Sequence, residues 1–183
     1  MGKVKNNRQS KRNVRNNRKA KNSVRNSESV DVLPKLYIDF NEYPKWTYSY
    51  VGSKFTNALK DESDAAENFY FLVNELFGSV EKNIKQILSN NDSHSHRITG
   101  DKRELAVKIS EKIHGFKLGD DVNIWQLSSD RNKGIRIVGV ITTDKIYNFY
   151  PLFIDHNHLL FPDAKHNQTD YFSFQFCPQE NWT

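Results

Sequence analysis

The sequence predicts an α+β fold in which an antiparallel sheet carries a helical hairpin packed on one face. Three β-rich runs in the C-terminal half are separated by short turn sequences, and short links favour a meander over parallel strands, which need long crossovers. Upstream, two segments repeat apolar residues every three or four positions, the spacing of a helix with one buried face. The first 26 residues, by contrast, offer almost nothing apolar to pack.

Those 26 residues hold ten basic side chains and no acidic one, which leaves 17 of the 27 basic residues against all 22 acidic ones in the remainder. The tail is therefore +10 and the body −5, so the overall +5 belongs to the tail. Residues 1–30 are expected to be a disordered basic tail ahead of a single domain at 31–183, with a C-terminal extension from about residue 162. Lys11, Arg12, Arg15, Arg18 and Lys19 suit an arm for RNA, DNA or the ribosome, because each cation that meets a phosphate releases counterions. Such an arm adds affinity without naming a reaction. The plainer reading is a solubilising tail.

Within the body, Leu36, Ile38 and Phe40 alternate with Tyr37 and Asp39, and Trp46, Tyr48 and Tyr50 alternate again after the turn at residues 41–44. This predicts a bent strand or hairpin whose aromatics pack in the core. Asp64 precedes Glu67 at capping spacing, and Ala66, Phe69, Val73, Leu76, Val80, Ile84 and Ile87 predict the longest helix, with Gly78 as a break. Residues 89–95 read as a polar loop. Leu105, Ile109 and Ile113 mark a second helix closed by Gly115. Strands are then expected over 122–127, 136–141 and 146–154, joined by turns at 128–134 and 142–145. The alternation at 171–176 suggests an added edge strand or flap.

No run approaches the roughly 18 apolar residues of a membrane helix, and no secretory leader opens the chain, so a cytoplasmic protein without a membrane partner is expected. Asn6 stands where a myristoylation pattern wants Ser or Thr. The single Cys177 has no partner for an internal disulfide. Neither a Gly-x-Ser-x-Gly elbow nor a phosphate-binding glycine loop occurs, and no cofactor is expected.

The order strand, helix, helix, three antiparallel strands resembles the RelE/ParE superfamily of bacterial toxins over about residues 36–161. The best local match is Ile124-Trp125-Gln126-Leu127, then residues 134–141 led by Arg136, then 147–161. The resemblance implies a toxin or relative that acts on RNA, by metal-free cleavage of mRNA at the ribosome, and an antitoxin partner. It also implies Arg136 for phosphate stabilisation and His156 or His158 for proton transfer, since cleavage through the RNA 2′-OH needs a proton acceptor, a donor and a cation. Two features depart from that family: the body is acidic, and Phe161 stands where a Tyr hydroxyl is expected. They support an alternative, a non-catalytic binding or regulatory protein of a mobile element whose basic tail contacts nucleic acid.

His156 and His158, at i and i+2, are expected on one face of a strand end, against the plainer reading of a polar cap. His94 and His96 repeat that spacing in the polar loop, and four imidazoles from two unlinked pairs make only a weak case for zinc, so no metal site is assigned. Arg131 and Lys133, in the turn beside Asp130, suit phosphate contact or a solvated turn equally.

Overall fold

The computed structural model describes residues 35–183 apart from 130–133, 144–145, 164, 166–167, 169 and 183. The basic-tail expectation for residues 1–30, with Lys11, Arg12, Arg15, Arg18 and Lys19, lies outside the described residues, as do Arg131 and Lys133. In chain order the elements are β1 (Leu36–Ile38), β2 (Val51–Gly52), β3 (Phe55–Thr56), α1 (Glu62–Phe71), a π-helical turn (Leu72–Leu76), α2 (Phe77–Leu88), β4 (His96–Arg97) and α3 (Gly100–His114). β5 (Ile124–Leu127), β6 (Arg136–Thr143), β7 (Tyr147–Asp155) and α4 (Pro178–Trp182) follow.

The C-terminal meander forms as its short links require: β5 pairs with β6 and β6 with β7, both antiparallel. The full sheet has five strands in the order β1-β7-β6-β5-β4, and only β1 runs parallel to its neighbour. A register shift between Val138 and Gly139 bulges β6. Among the described residues no helix is long and apolar enough to cross a membrane.

The helices do not share a face of the sheet, which corrects the expected hairpin. Leu72, Leu76, Val80, Ile84 and Ile87 pack with Trp125, Leu127, Ile135 and Ile137. Ala106, Ile109 and Ile113 of α3 pack instead with Ile124, Val138, Val140 and Leu152. The reason is in β6, whose residues are apolar at consecutive rather than alternate positions, so both faces need cover. α3 closes at Gly115, which takes φ +84°.

The long helix forms with a different buried stripe. Asp61 caps it by accepting the Asp64 N–H at 2.9 Å, and Asp64 returns the favour by accepting the Lys60 N–H at 3.1 Å. The irregularity lies at Leu72–Leu76 rather than at Gly78. A π turn inserts one residue into the helical phase, so the buried face before it runs through Ala65, Asn68 and Leu72. Phe69 and Val73, expected inside, are exposed.

Residues 46–50 are not a strand either. Asn57, itself buried, accepts the Tyr50 N–H at 2.6 Å and donates to the Tyr48 carbonyl at 3.2 Å, which occupies backbone groups that a sheet partner would need. Trp46 is still buried in the first core, and Tyr48 and Tyr50 pack against the second. Residues 171–176 contribute one bridge, Phe176 to Leu59, in place of an edge strand. α4 follows, fastened by Gln179 to the Pro44 carbonyl at 3.0 Å and by a Tyr48–Glu180 hydrogen bond.

Candidate functional site

Arg136 opens β6 between Ile135 and Ile137, both packed in the first core, so strand alternation turns its side chain to the other face. It is only 7% exposed. Nη1 donates to the Ile135 carbonyl at 3.0 Å, while Nε is buried with no hydrogen-bond partner. Burial pulls the guanidinium pKa down, and the nearby Asp155 charge opposes that. An arginine stays cationic at neutral pH even so.

Across the β6–β7 ladder Arg136 pairs with Asp155. The Asp155 carboxylate is fully buried and accepts the N–H groups of Leu159 and Leu160, each at 2.8 Å, which ties the chain into a tight turn after β7. Burial pushes this carboxyl up to about 6, against the opposing pull of those N–H groups and of Arg136.

The turn decides where the two histidines go. β7 ends at Asp155, so His156 and His158 do not lie at i and i+2 of a strand, and His158 takes a left-handed φ of 57°. His158 therefore enters the Arg136 cleft, whereas His156 faces a different cavity, walled in part by Leu72 and Ile154 of the first core. Its Nδ1 is buried without a partner, and burial pushes the imidazole down to about 3. Of the three candidate catalytic residues the structure thus brings Arg136 and His158 together and sends His156 to the opposite side of the sheet.

Two residues read as loop join the cleft in its place. β4 pairs with β5 so that His96 stands opposite Gln126, and His94 precedes it in a turn where Asp92 accepts the His94 and Ser95 N–H groups at 2.8 and 2.7 Å. The buried Ser95 hydroxyl fastens that turn to Ser128, accepting its N–H at 2.9 Å. The cleft measures about 490 Å³, and Arg136, His94, His96, His158, Gln126 and Phe161 line it along with Asp163 and Gln168. The His96 ring meets Phe161 edge-on at 5.1 Å, and the Lys102 ammonium sits 5.5 Å from the Phe161 centroid.

His158 Nδ1 lies 3.3 Å from Gln168 Oε1, an oxygen that also accepts the Asp163 N–H at 2.7 Å. That second bond identifies the atom as the acceptor, so neutral His158 donates from Nδ1 and keeps Nε2 as its basic nitrogen. Burial, Arg136 and His94 lower the His158 pKa, with partial opposition from Gln168 and Asp163. Gln126 is 2% exposed and its Oε1 has no partner. A cleft lined by a fixed cation and three imidazoles, with the Asp163 carboxylate on the same wall, is equipped to hold an anion beside Arg136 and to move protons next to it.

Gln126 had a signal in the sequence, being the one polar residue in Ile124-Trp125-Gln126-Leu127. His94 and His96 had only their spacing. Among the described residues no group of three or more His, Cys, Asp or Glu is placed to hold a metal ion. The four imidazoles weighed for zinc are divided by the position of His156.

Fold and site define an α+β protein with an arginine- and histidine-lined cleft in a mostly antiparallel sheet. The chain belongs to the family described as "Uncharacterised protein UU032", whose sequence model matches residues 41–183. A relative from Ureaplasma parvum serovar 3 (strain ATCC 700970), described in the same words, is 29% identical over 141 residues, which cover 74% of this chain and 76% of the relative. No solved structure matches the chain.

Proposed function

We propose that this protein acts on RNA, seating a backbone phosphate in the Arg136 cleft and cleaving the chain there without a metal, as a RelE-like toxin or relative working at the ribosome. The observation that supports this reading best is the Arg136 side chain in the wall of a cleft that holds three imidazoles. One neutral imidazole, for which His158 supplies Nε2 as its basic nitrogen, takes the 2′-OH proton as that oxygen attacks phosphorus. A second, His94 or His96, donates a proton to the departing 5′-oxygen. Arg136 balances the charge on the phosphorane. The products are a 2′,3′-cyclic phosphate and a 5′-hydroxyl. The strand, helices and three-strand meander in that order support the resemblance to the toxin family. An antitoxin that covers the cleft and a basic tail that holds RNA or ribosome complete the proposal.

One observation favours the non-catalytic alternative: α3 packs over the second face of the sheet and narrows the open surface to the cleft at its end. Cell-free translation with primer extension separates the two. Discrete cuts with the intact protein, absent for Arg136→Ala and His158→Ala, are expected. Full-length message and undiminished translation with folded protein overturn the cleavage reading and leave the binding one.

A further inference from the structure

The sheet face opposite the cleft carries a second cavity, of about 420 Å³, walled by Leu59, Leu72 and Ile154, with Phe69, Trp182 and the His156 ring among its aromatic surfaces. Ligand pockets commonly have about this size, a largely apolar wall and a few polar anchors. Among the described residues that line it, none carries a formal charge at neutral pH, since burial keeps His156 neutral down to about pH 3. The π turn matters here: by moving the buried stripe to Leu72 it leaves Phe69 at the wall, 54% exposed, while α4 brings in Trp182 at 58%. Two large rings open to water beside the His156 ring are features that a flat ligand would cover.

We infer that this cavity binds a small, uncharged, planar aromatic molecule bearing one hydroxyl or N–H group, with Phe69 and Trp182 against its ring and His156 as its hydrogen-bonding anchor. The absence of charge in the wall argues against ionic ligands, and the paired rings favour planar over branched aliphatic ones. This site is independent of the RNA reading, since it uses neither Arg136 nor His158.

The test is calorimetric titration of the full chain with 2-naphthol and with naphthalene, which differ by the hydroxyl alone. The intact protein is expected to bind one equivalent of 2-naphthol about tenfold more tightly than naphthalene, the size of one hydrogen bond. Trp182→Ala, at an exposed position that folding tolerates, is expected to weaken both rings by about tenfold. His156→Leu is expected to bring the two affinities together. The inference is overturned if neither ring binds saturably, if the hydroxyl confers no preference, or if Trp182→Ala leaves both affinities unchanged.

Discussion

Arg136 and Asp155 face each other across the β6–β7 ladder, both buried, yet each carboxylate oxygen accepts a backbone N–H from the following turn while the guanidinium Nε has no partner. The carboxylate thus shapes the turn that delivers His158, and the Arg136 side chain lines the cleft beside it. The Arg136 charge is one of the influences holding the Asp155 carboxyl below where burial alone would put it. Arg136→Met is therefore expected to raise the Asp155 pKa above 6, as read by carbon NMR titration of its carboxyl. An unchanged titration would show that the two side chains do not sense each other.

Asp155→Asn keeps the shape but offers one acceptor oxygen to two N–H groups. One buried donor is then orphaned, at a cost of about 1–3 kcal/mol in urea unfolding. The turn at 156–160 loosens with it, so the proposed cleavage should fall even at temperatures where the variant remains folded.

His156 and Asp155 drive the stability of the fold in opposite directions with pH. The folded imidazole sits near 3 against an ordinary 6.5, so its contribution is full above 6.5 and is lost as pH falls toward 3. The folded carboxyl sits near 6 against 3.8, so its contribution is full below 3.8 and is lost as pH rises through 6. His156→Leu removes only the first. Its stability relative to the intact protein should therefore rise steadily between pH 7 and pH 4 in urea titrations, by about 1.4 kcal/mol for each pK unit realised. A constant difference would count against a buried neutral His156.

Cleavage, if His158 is its base, should persist below the ordinary histidine range. Burial and neighbouring cations lower the His158 pKa, so its basic form survives to more acidic pH than a solvated imidazole. The acid limb of the rate profile is expected below 6.5, and Gln168→Leu, which removes a contact that favours the protonated ring, should move it lower still.

The π turn predicts an unusual pair of mutational costs. Leu76 is fully buried, and Leu76→Ala should cost about 2–5 kcal/mol. Phe69, which a regular helix would bury, should cost less than about 1 kcal/mol as Phe69→Ala because it is exposed. Gly139→Ala should be as damaging as the Leu76 change, since a Cβ there would meet the Tyr150 carbonyl and the Phe149 ring at the β6 bulge.

Much of this fold was legible in local sequence. Residues 122–155 yield a meander because β-branched runs joined by short links have few other ways to satisfy their backbone groups, and α3 ends where Gly115 accepts a positive φ. The two helices, by contrast, cover opposite faces of the sheet. Period-2 reasoning fails for β6, where both faces are apolar, and the pattern itself does not say which helix covers which face.

The site divides in the same way. The sequence determined that Arg136 begins a strand and that imidazoles cluster near residue 156, because residue type and β propensity are local properties. Only the tertiary structure decided that Asp155 ends that strand by binding the N–H groups of Leu159 and Leu160, so that His158 and His156 part to opposite faces. It likewise decided that His94 and His96, some 60 residues upstream, fill the vacated place, since the β4–β5 pairing that puts His96 against Gln126 joins segments with no local signal for each other. Long-range pairing and burial are set by what each face must cover, and one-dimensional spacing carries no record of that.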